Sequence, residues 1–461
     1  MTRGQINLRH SRRTTLALGT VLALAAIVGA ATAQAAPLSL SQEQAVKRTL
    51  ERHPAIEAAA RAIDVADART SETVAAWLPR FKAEASYMYV GPLQSLVIDT
   101  GLQLPGSPAP ITIEKDMGSV HNAYVGASFA WRALDFGSRL SRTAAADALG
   151  RAERAQGELQ KAEIAYAVRA AYLGARFFQE MEAVSARSLA VAEGELADRQ
   201  AERKAGLGSD LDVSRVQMRV AELRGQSTRA SQERARLLGT LRLLLGLGPE
   251  VEINLSDDLR TLGSSPLPTA GSSEQNPAKQ RIAALGEASD LESDRLFWDY
   301  WPTIDVVGSV KYQYPKNYFE NDSAGVVYSV GAVWSWTIFD GDLIRRQRAE
   351  AEAKTAQLHA QGQALDEDIV RKRLDAEAQA RTAEAAVTSA QGILDSARVY
   401  ERAARASLAA GSGTELERRQ ATDSAAQAEL GVLKALLDAA MARASLLLAL
   451  GRAEATSEVA P

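Results

Sequence analysis

The chain has 461 residues, of which 46% are hydrophobic and 24% charged but only 5% aromatic. Alanine dominates the apolar set, so long helices that approach closely in thin layers are expected in place of a bulky globular core. The formal net charge of −4 is spread along the chain, arginine alternating with glutamate, which argues against a nucleic-acid partner, and the absence of cysteine excludes both a disulfide framework and a lipidated N-terminal cysteine.

Arg3, Arg9, Arg12 and Arg13 precede an apolar stretch from Leu16 to Ala30, and Ala33-Gln34-Ala35 offers small residues for cleavage. That layout predicts a signal peptide over residues 1–35 and an exported protein. The apolar stretch is shorter than the roughly 18 residues a spanning helix needs. A first helix is predicted from Ser41, an N-cap whose capping box is completed by Gln44. It should kink or restart at His53-Pro54, where the ring removes a donor, and stop at Trp77-Leu78-Pro79. His53 reads as a surface or cap residue.

Beyond Pro79 the hydrophobic period changes from helical to alternating. Ala83, Ala85, Tyr87 and Tyr89 alternate with Lys82, Glu84, Ser86 and Met88, and Val125, Ala127, Phe129 and Trp131 alternate with Tyr124, Gly126, Ser128 and Ala130. One β-hairpin is predicted, its strands joined by a Pro- and Gly-rich loop over 91–120. A proline-free run from Ser138 to Gly206 follows; as a helix of about seventy residues it would be roughly 100 Å long. It closes at Gly206-Leu207-Gly208-Ser209, a helical-hairpin tip, and a half-length helix returns from Ser209 to Leu247. A linker is expected over 249–273, crossing the outside of the structure.

The second half repeats the first. Trp131, Asp135, Gly206, Gly208, Leu211 and Gly246 map onto Trp336, Asp340, Gly411, Gly413, Leu416 and Gly451 at one offset (336 − 131 = 205). Pro54 and Pro79 map onto Pro277 and Pro302 at another (277 − 54 = 223), so the first copy holds 18 extra residues (223 − 205) between Pro79 and Trp131. Two structural repeats are predicted, 36–248 and 274–452, with a tail over 453–461 that lacks any pattern and is expected to be mobile. The second copy should contain a strand with Ile304, Val306, Gly308, Val310 and Tyr312 on one face, a return strand ending near Trp336, a long helix to Gly411, and a half-length helix from Thr414 to Leu450. Heptad pairs such as Val184 with Val191 and Leu358 with Leu365 mark the helical seams.

The four strands have one apolar face with Tyr and Trp and one polar face. They could form small soluble sheets, but their length and aromatic flanks match a membrane barrel with lipid outside and water inside. On that reading Tyr87, Phe129, Tyr312 and Trp334 face lipid, while Lys82, Glu84, Asp305 and Lys311 face water. Four strands cannot close a barrel, and open edges in lipid would leave backbone groups unpaired, so a homotrimer with twelve strands is expected. No catalytic triad, metal-ligand spacing or phosphate loop is present, and no enzyme or cofactor is expected.

Together, His53-Pro54, Asn276-Pro277, Trp77-Leu78-Pro79, Trp301-Pro302, Leu134-Asp135-Phe136-Gly137, Phe339-Asp340-Gly341 and the Gly-x-Gly-[Ser/Thr]-[Asp/Glu]-Leu-[Asp/Glu] tips give the chain its likeness. It resembles the TolC-like outer-membrane efflux protein family. The resemblance implies a trimeric twelve-stranded barrel in the outer membrane of a Gram-negative-type envelope, continued by an α-helical tunnel through the periplasm. It further implies docking, through the tips at Gly206, Gly208, Gly411 and Gly413, onto a periplasmic adaptor and an inner-membrane efflux pump or ABC exporter. Entrance carboxylates are implied at Asp212 and Glu417. Gly413 and Gln420 stand where some relatives have an arginine latch and a second acid, so that either Arg215, Arg418 or Arg419 substitutes or closure rests on packing. Small-molecule efflux, type I protein secretion, and a coiled-coil scaffold that is no channel are the three functions this sequence admits.

Overall fold

The computed structural model describes residues 38–103, 105–106, 110–268, 275–316 and 323–454. The expected signal peptide and the last residues of the tail lie outside the described residues.

Local chemistry sets the helix boundaries. Helix α1 (Gln42–Arg52) starts at the predicted capping box, Ser41 Oγ accepting from the Gln44 amide at 3.2 Å and Gln44 Oε1 from the Ser41 amide at 3.0 Å, after the short strand β1 (Leu38–Leu40). Helix α2 (Pro54–Ala75) restarts at Pro54, where a missing donor costs nothing, with His53 Nδ1 accepting from the Ala55 amide at 3.2 Å. The second copy repeats the device: Asn276 Oδ1 accepts from the Ala278 amide at 2.9 Å at the start of α6 (Pro277–Trp298). His53 is therefore a helix cap.

The long helices α3 (Ser138–Lys204) and α7 (Leu343–Ala409) have 67 residues each, and their return helices α4 (Asp210–Leu244) and α8 (Glu415–Ala449) have 35 each. At 1.5 Å per residue the long rods are about 100 Å and the short ones about half that. Helices α1 and α2 pack along α3 beyond the reach of α4, and α6 stands to α7 and α8 in the same way. Small residues let the rods close up: Ala148, Ala152, Ala155, Ala162 and Ala165 are buried along α3, and a Cβ on Gly157 would already touch Ile63 and Ala59 of α2.

Where the ends of α1 and α4 approach the middle of α3, the larger side chains cluster. Tyr172, fully buried near the middle of α3, donates its hydroxyl to the Leu40 carbonyl (2.9 Å) and accepts from the Asp257 amide (3.2 Å) amid Val46, Val168, Leu241, Leu245 and Leu255. Burial pushes the Tyr172 phenol above its ordinary value, keeping it neutral. The segment expected as a plain linker takes part in this core. It forms β6 (Ile253–Leu255), paired in parallel with β1, and α5 (Leu259–Gly263), docked on α8 with Arg443 donating to the Leu262 carbonyl at 3.1 Å.

The other end of the molecule is a four-stranded antiparallel sheet in the order β2 (Arg80–Tyr89), β5 (His121–Leu134), β7 (Thr303–Tyr314), β8 (Gly325–Ser335). Both repeats contribute a hairpin to one sheet, and β2 and β8 are its edges. The loop expected over 91–120 is corrected: it contains a second hairpin, β3 (Gln94–Gln103) and β4 (Pro110–Met117). Ile98 pairs with Ile113 on one face and Val97 with Glu114 on the other, a two-residue period that the flanking prolines and glycines hid. The Val90 amide bonds to the Val120 carbonyl at 2.8 Å across its base. This hairpin accounts for the surplus residues of the first copy. Among the described residues no helix is long and apolar enough to cross a membrane.

Candidate functional site

Directly opposed residues of an antiparallel pair share a face. The register joins Ala85, Val125, Tyr312 and Val326 in one rung, Phe81, Phe129, Gly308 and Val330 in another, and Ile304 with Trp334 in a third. Tyr87 is opposite Ala123 on the same face. Among the described residues nothing covers this surface: Tyr328 is 80% exposed and Val330 75%. The opposite face joins Lys82, Ser128, Ser309 and Ser329, and Glu84, Gly126, Lys311 and Val327. It is knitted by polar contacts: Arg132 Nε to Asp305 Oδ1 at 3.0 Å, the Ser309 and Ser329 hydroxyls at 3.0 Å, and Lys311 Nζ 4.4 Å over the Tyr124 ring. All eight residues whose faces the sequence assigned fall on two opposite sides as expected.

The sheet is bolted to the helices twice by one device. Trp131 Nε1 donates to the Trp77 carbonyl at 2.9 Å, and its counterpart Trp336 donates to the Tyr300 carbonyl at 3.1 Å. Asp135 then caps the start of α3, pairing with the Arg139 guanidinium at 2.6 Å, which lies 4.4 Å over the Trp77 ring. Asp340 caps α7 through the Leu343 and Ile344 amides. A buried ion pair at this corner is costly to break, because the surviving charge would lack solvent.

At the far end both long helices close in the same motif. Gly206 (φ +77) and Gly411 (φ +72) take the left-handed conformation, and the following amides, Leu207 and Ser412, bond back to the Glu202 and Ser407 carbonyls at 2.9 and 3.0 Å. Of the four tip glycines, only these two take positive φ. Gly208 and Gly413 are needed for close approach: a Cβ would stand 3.1 Å from the Arg203 nitrogen in the first and 2.9 Å from Ser407 Cβ in the second. Leu207, Leu211 and Leu416 are exposed at the tips (84%, 59% and 63%).

Asp212 and Glu417 occupy the same place, three residues past the helix caps Ser209 and Thr414. Both are exposed, and a carboxylate there complements the helix dipole. Glu417 Oε2 also accepts from the Thr414 amide at 3.0 Å in a capping box, whereas Asp212 only approaches Arg215 at 4.0 Å.

The sequence matches the family model described as outer membrane efflux protein over residues 45–247 and 278–452. The chain belongs to the outer membrane efflux protein family. Solved channels share its fold: the open-state MtrE outer membrane channel of Neisseria gonorrhoeae is 18% identical, covering 89% of each chain with a TM-score of 0.73. The outer membrane protein VceC of Vibrio cholerae is 16% identical, covering 89% of this chain and 96% of its own, with a TM-score of 0.70. The CmeC outer membrane channel of Campylobacter jejuni is 13% identical, covering 89% and 85%, with a TM-score of 0.71. No curated sequence matched the chain.

As a member of the outer membrane efflux family, the protein is a channel component of the outer membrane and not an enzyme. Among the described residues, no group of three His, Cys, Asp or Glu could hold a metal ion. What sequence reading missed lies between the two helical hairpins of this efflux protein. A groove of about 350 Å³ there is crossed by Arg419 to Glu195 (2.5 Å), Arg219 to Asp423 (2.8 Å) and Arg187 to Glu429 (2.8 Å), tying α8 to α3 and α4. Of the three arginines considered as latch substitutes, Arg419 alone crosses between hairpins. Arg418 pairs with Glu415 on its own helix and holds that carboxyl below its ordinary value.

Proposed function

We propose that three copies of this chain assemble into an exit duct, with twelve strands closing a barrel in the outer membrane and twelve rods continuing it as a periplasmic tunnel. The observation that supports this is the four-stranded sheet itself. It has one uncovered apolar face, one hydrogen-bonded polar face and two free edges, and is continuous with helices about 100 Å long. Joining β8 of one copy to β2 of the next satisfies every edge and sets the apolar face to lipid. The duct is passive, and energy comes from an inner-membrane pump or ABC exporter reached through a periplasmic adaptor. The six tips of a trimer, with exposed Leu207, Leu211 and Leu416, dock the adaptor, while Asp212 and Glu417 form two rings of three carboxylates that favour cations at the entrance. The ion pairs Arg419–Glu195 and Arg219–Asp423 take the place of the missing arginine latch and hold the two hairpins of a protomer together at rest.

Small-molecule efflux is the reading favoured over type I secretion, because the matched family is one of efflux proteins. Capture of tagged trimers from a cross-linked native membrane tests this. The proposal expects an adaptor and a proton-driven pump among the captured proteins, and raised intracellular accumulation of a fluorescent pump substrate when the gene is deleted. Capture of an ABC exporter with unchanged accumulation would replace the efflux reading by secretion.

A further inference from the structure

The internal duplication fixes how one protomer must meet the next. Strand β5 corresponds to β8 at the offset of 205 and β2 to β7 at 223, so the seam between β8 and a neighbour's β2 repeats the pairing of β5 with β7. Within the chain that pairing sets Arg132 opposite Asp305, joined at 3.0 Å. Carried to the seam by the same offsets, this rung sets Thr337 (132 + 205), two residues past the end of β8, opposite Lys82 (305 − 223). An acid has become a cation, and its arginine partner a neutral hydroxyl. The next polar rung, Ala130 with Val307, becomes Ser335 with Glu84.

Lys82 is not alone. Arg80 precedes it on the same polar face, opposite Ala130, about 7 Å away along the strand. Neither makes an ion pair among the described residues, and the polar face of β8 presents Val327, Ser329, Gly331 and Val333, without a carboxylate. The acid beside them is Glu84, whose Oε1 meets Ser128 Oγ at 3.4 Å. In all, this face holds four cations (Arg80, Lys82, Arg132, Lys311) against two carboxylates (Glu84, Asp305).

We propose that Arg80 and Lys82, repeated at three seams, form a cationic collar at the helix-proximal end of the barrel lumen that binds carboxylate- or phosphate-bearing solutes in transit. The inference rests on the trimeric-duct reading and names the chemical class that the duct holds last before release. The entrance carboxylates do not cancel it. They lie some 100 Å away along the rods, many times the ~10 Å over which charge is screened at 0.1 M salt.

The test uses the full trimer in planar bilayers at about 0.1 M KCl, with inorganic tripolyphosphate added on the barrel side. The collar predicts reduced unitary conductance at millimolar tripolyphosphate, relieved at about 1 M KCl. Arg80→Gln with Lys82→Gln should raise the half-blocking concentration at least tenfold. Thr337→Asp, which rebuilds across the seam the pair seen between Arg132 and Asp305, should do the same while the trimers assemble, so the test survives if the double variant fails to fold. Wild-type steps that tripolyphosphate leaves unchanged, or block that is equal in Thr337→Asp, overturn the collar. Wild-type trimers without any conductance steps strike the duct reading instead.

Discussion

Two adjacent residues of β8 should respond unequally to the same substitution. Val330 lies mid-strand on the apolar face opposite Gly308; Ser329 lies on the polar face opposite Ser309, hydroxyl to hydroxyl at 3.0 Å. An arginine at the bilayer midplane costs roughly 2–4 kcal/mol, so Val330→Arg should cost about 6–12 kcal/mol over three copies, several orders of magnitude in assembly at 1.4 kcal/mol per decade. Ser329→Arg gives up a hydrogen bond worth about 1 kcal/mol per copy and places its charge in water. The assay is the fraction of outer-membrane protein running as a folded trimer on unheated gels, read against urea. Val330→Arg should leave little trimer, while Ser329→Arg, at about 3 kcal/mol over three copies, should cost about two decades in assembly against roughly four to nine for Val330→Arg. Equal tolerance of the two, or the reverse order, would refute the register and with it the assignment of faces.

Further outcomes follow from the tips and the entrance. Gly411→Val puts a β-branched residue at φ +72, costing about 1–2 kcal/mol or more, and Gly413→Val drives a Cβ against Ser407; both should abolish efflux, measured by substrate accumulation, while trimers still reach the outer membrane. Glu417→Gln keeps the capping box, since glutamine also accepts from the Thr414 amide, so with Asp212→Asn it should lower cation preference in reversal-potential measurements at low salt without loss of assembly. An unchanged preference would remove both residues from the constriction. The Arg418–Glu415 contact depresses the Glu415 carboxyl below its ordinary value. Its contribution is therefore full above the ordinary carboxylate range and lost as pH falls through the depressed pKa, so a spin label at position 412 should show constant mobility at neutral pH and loosening only below the ordinary carboxylate range.

Much of this fold was legible because its determinants are local and occur twice. The Ser41–Gln44 capping box, Pro54 and Pro277 at helix starts, and the glycine tips each act within a few residues, and the two offsets aligned them without a structure. The alternation in β7 and β8 gave the faces because a strand has only two. Strands β3 and β4 escaped because Pro92, Pro105, Pro108 and Pro110, with nearby glycines, outweighed a short alternation around Ile98 and Ile113. The connecting segment escaped for another reason. Leu259 and Arg443 stabilise it through contacts with α8 and α5, made between residues nearly two hundred positions apart. The groove ion pairs Arg219–Asp423 and Arg187–Glu429 are equally non-local and leave no pattern in either helix alone. The tip glycines show a subtler limit: Gly206 and Gly208 look alike in sequence, yet one is demanded by backbone conformation and the other by proximity to α3.

If one chain holds a third of a barrel, only the closed trimer should conduct. Single-channel recording of purified protein in planar bilayers, comparing native trimers with the same sample dissociated by heat, addresses it directly. Uniform unitary steps are expected from the trimers and none from the dissociated chains. Native trimers that never conduct, or dissociated chains that conduct as well, would contradict it.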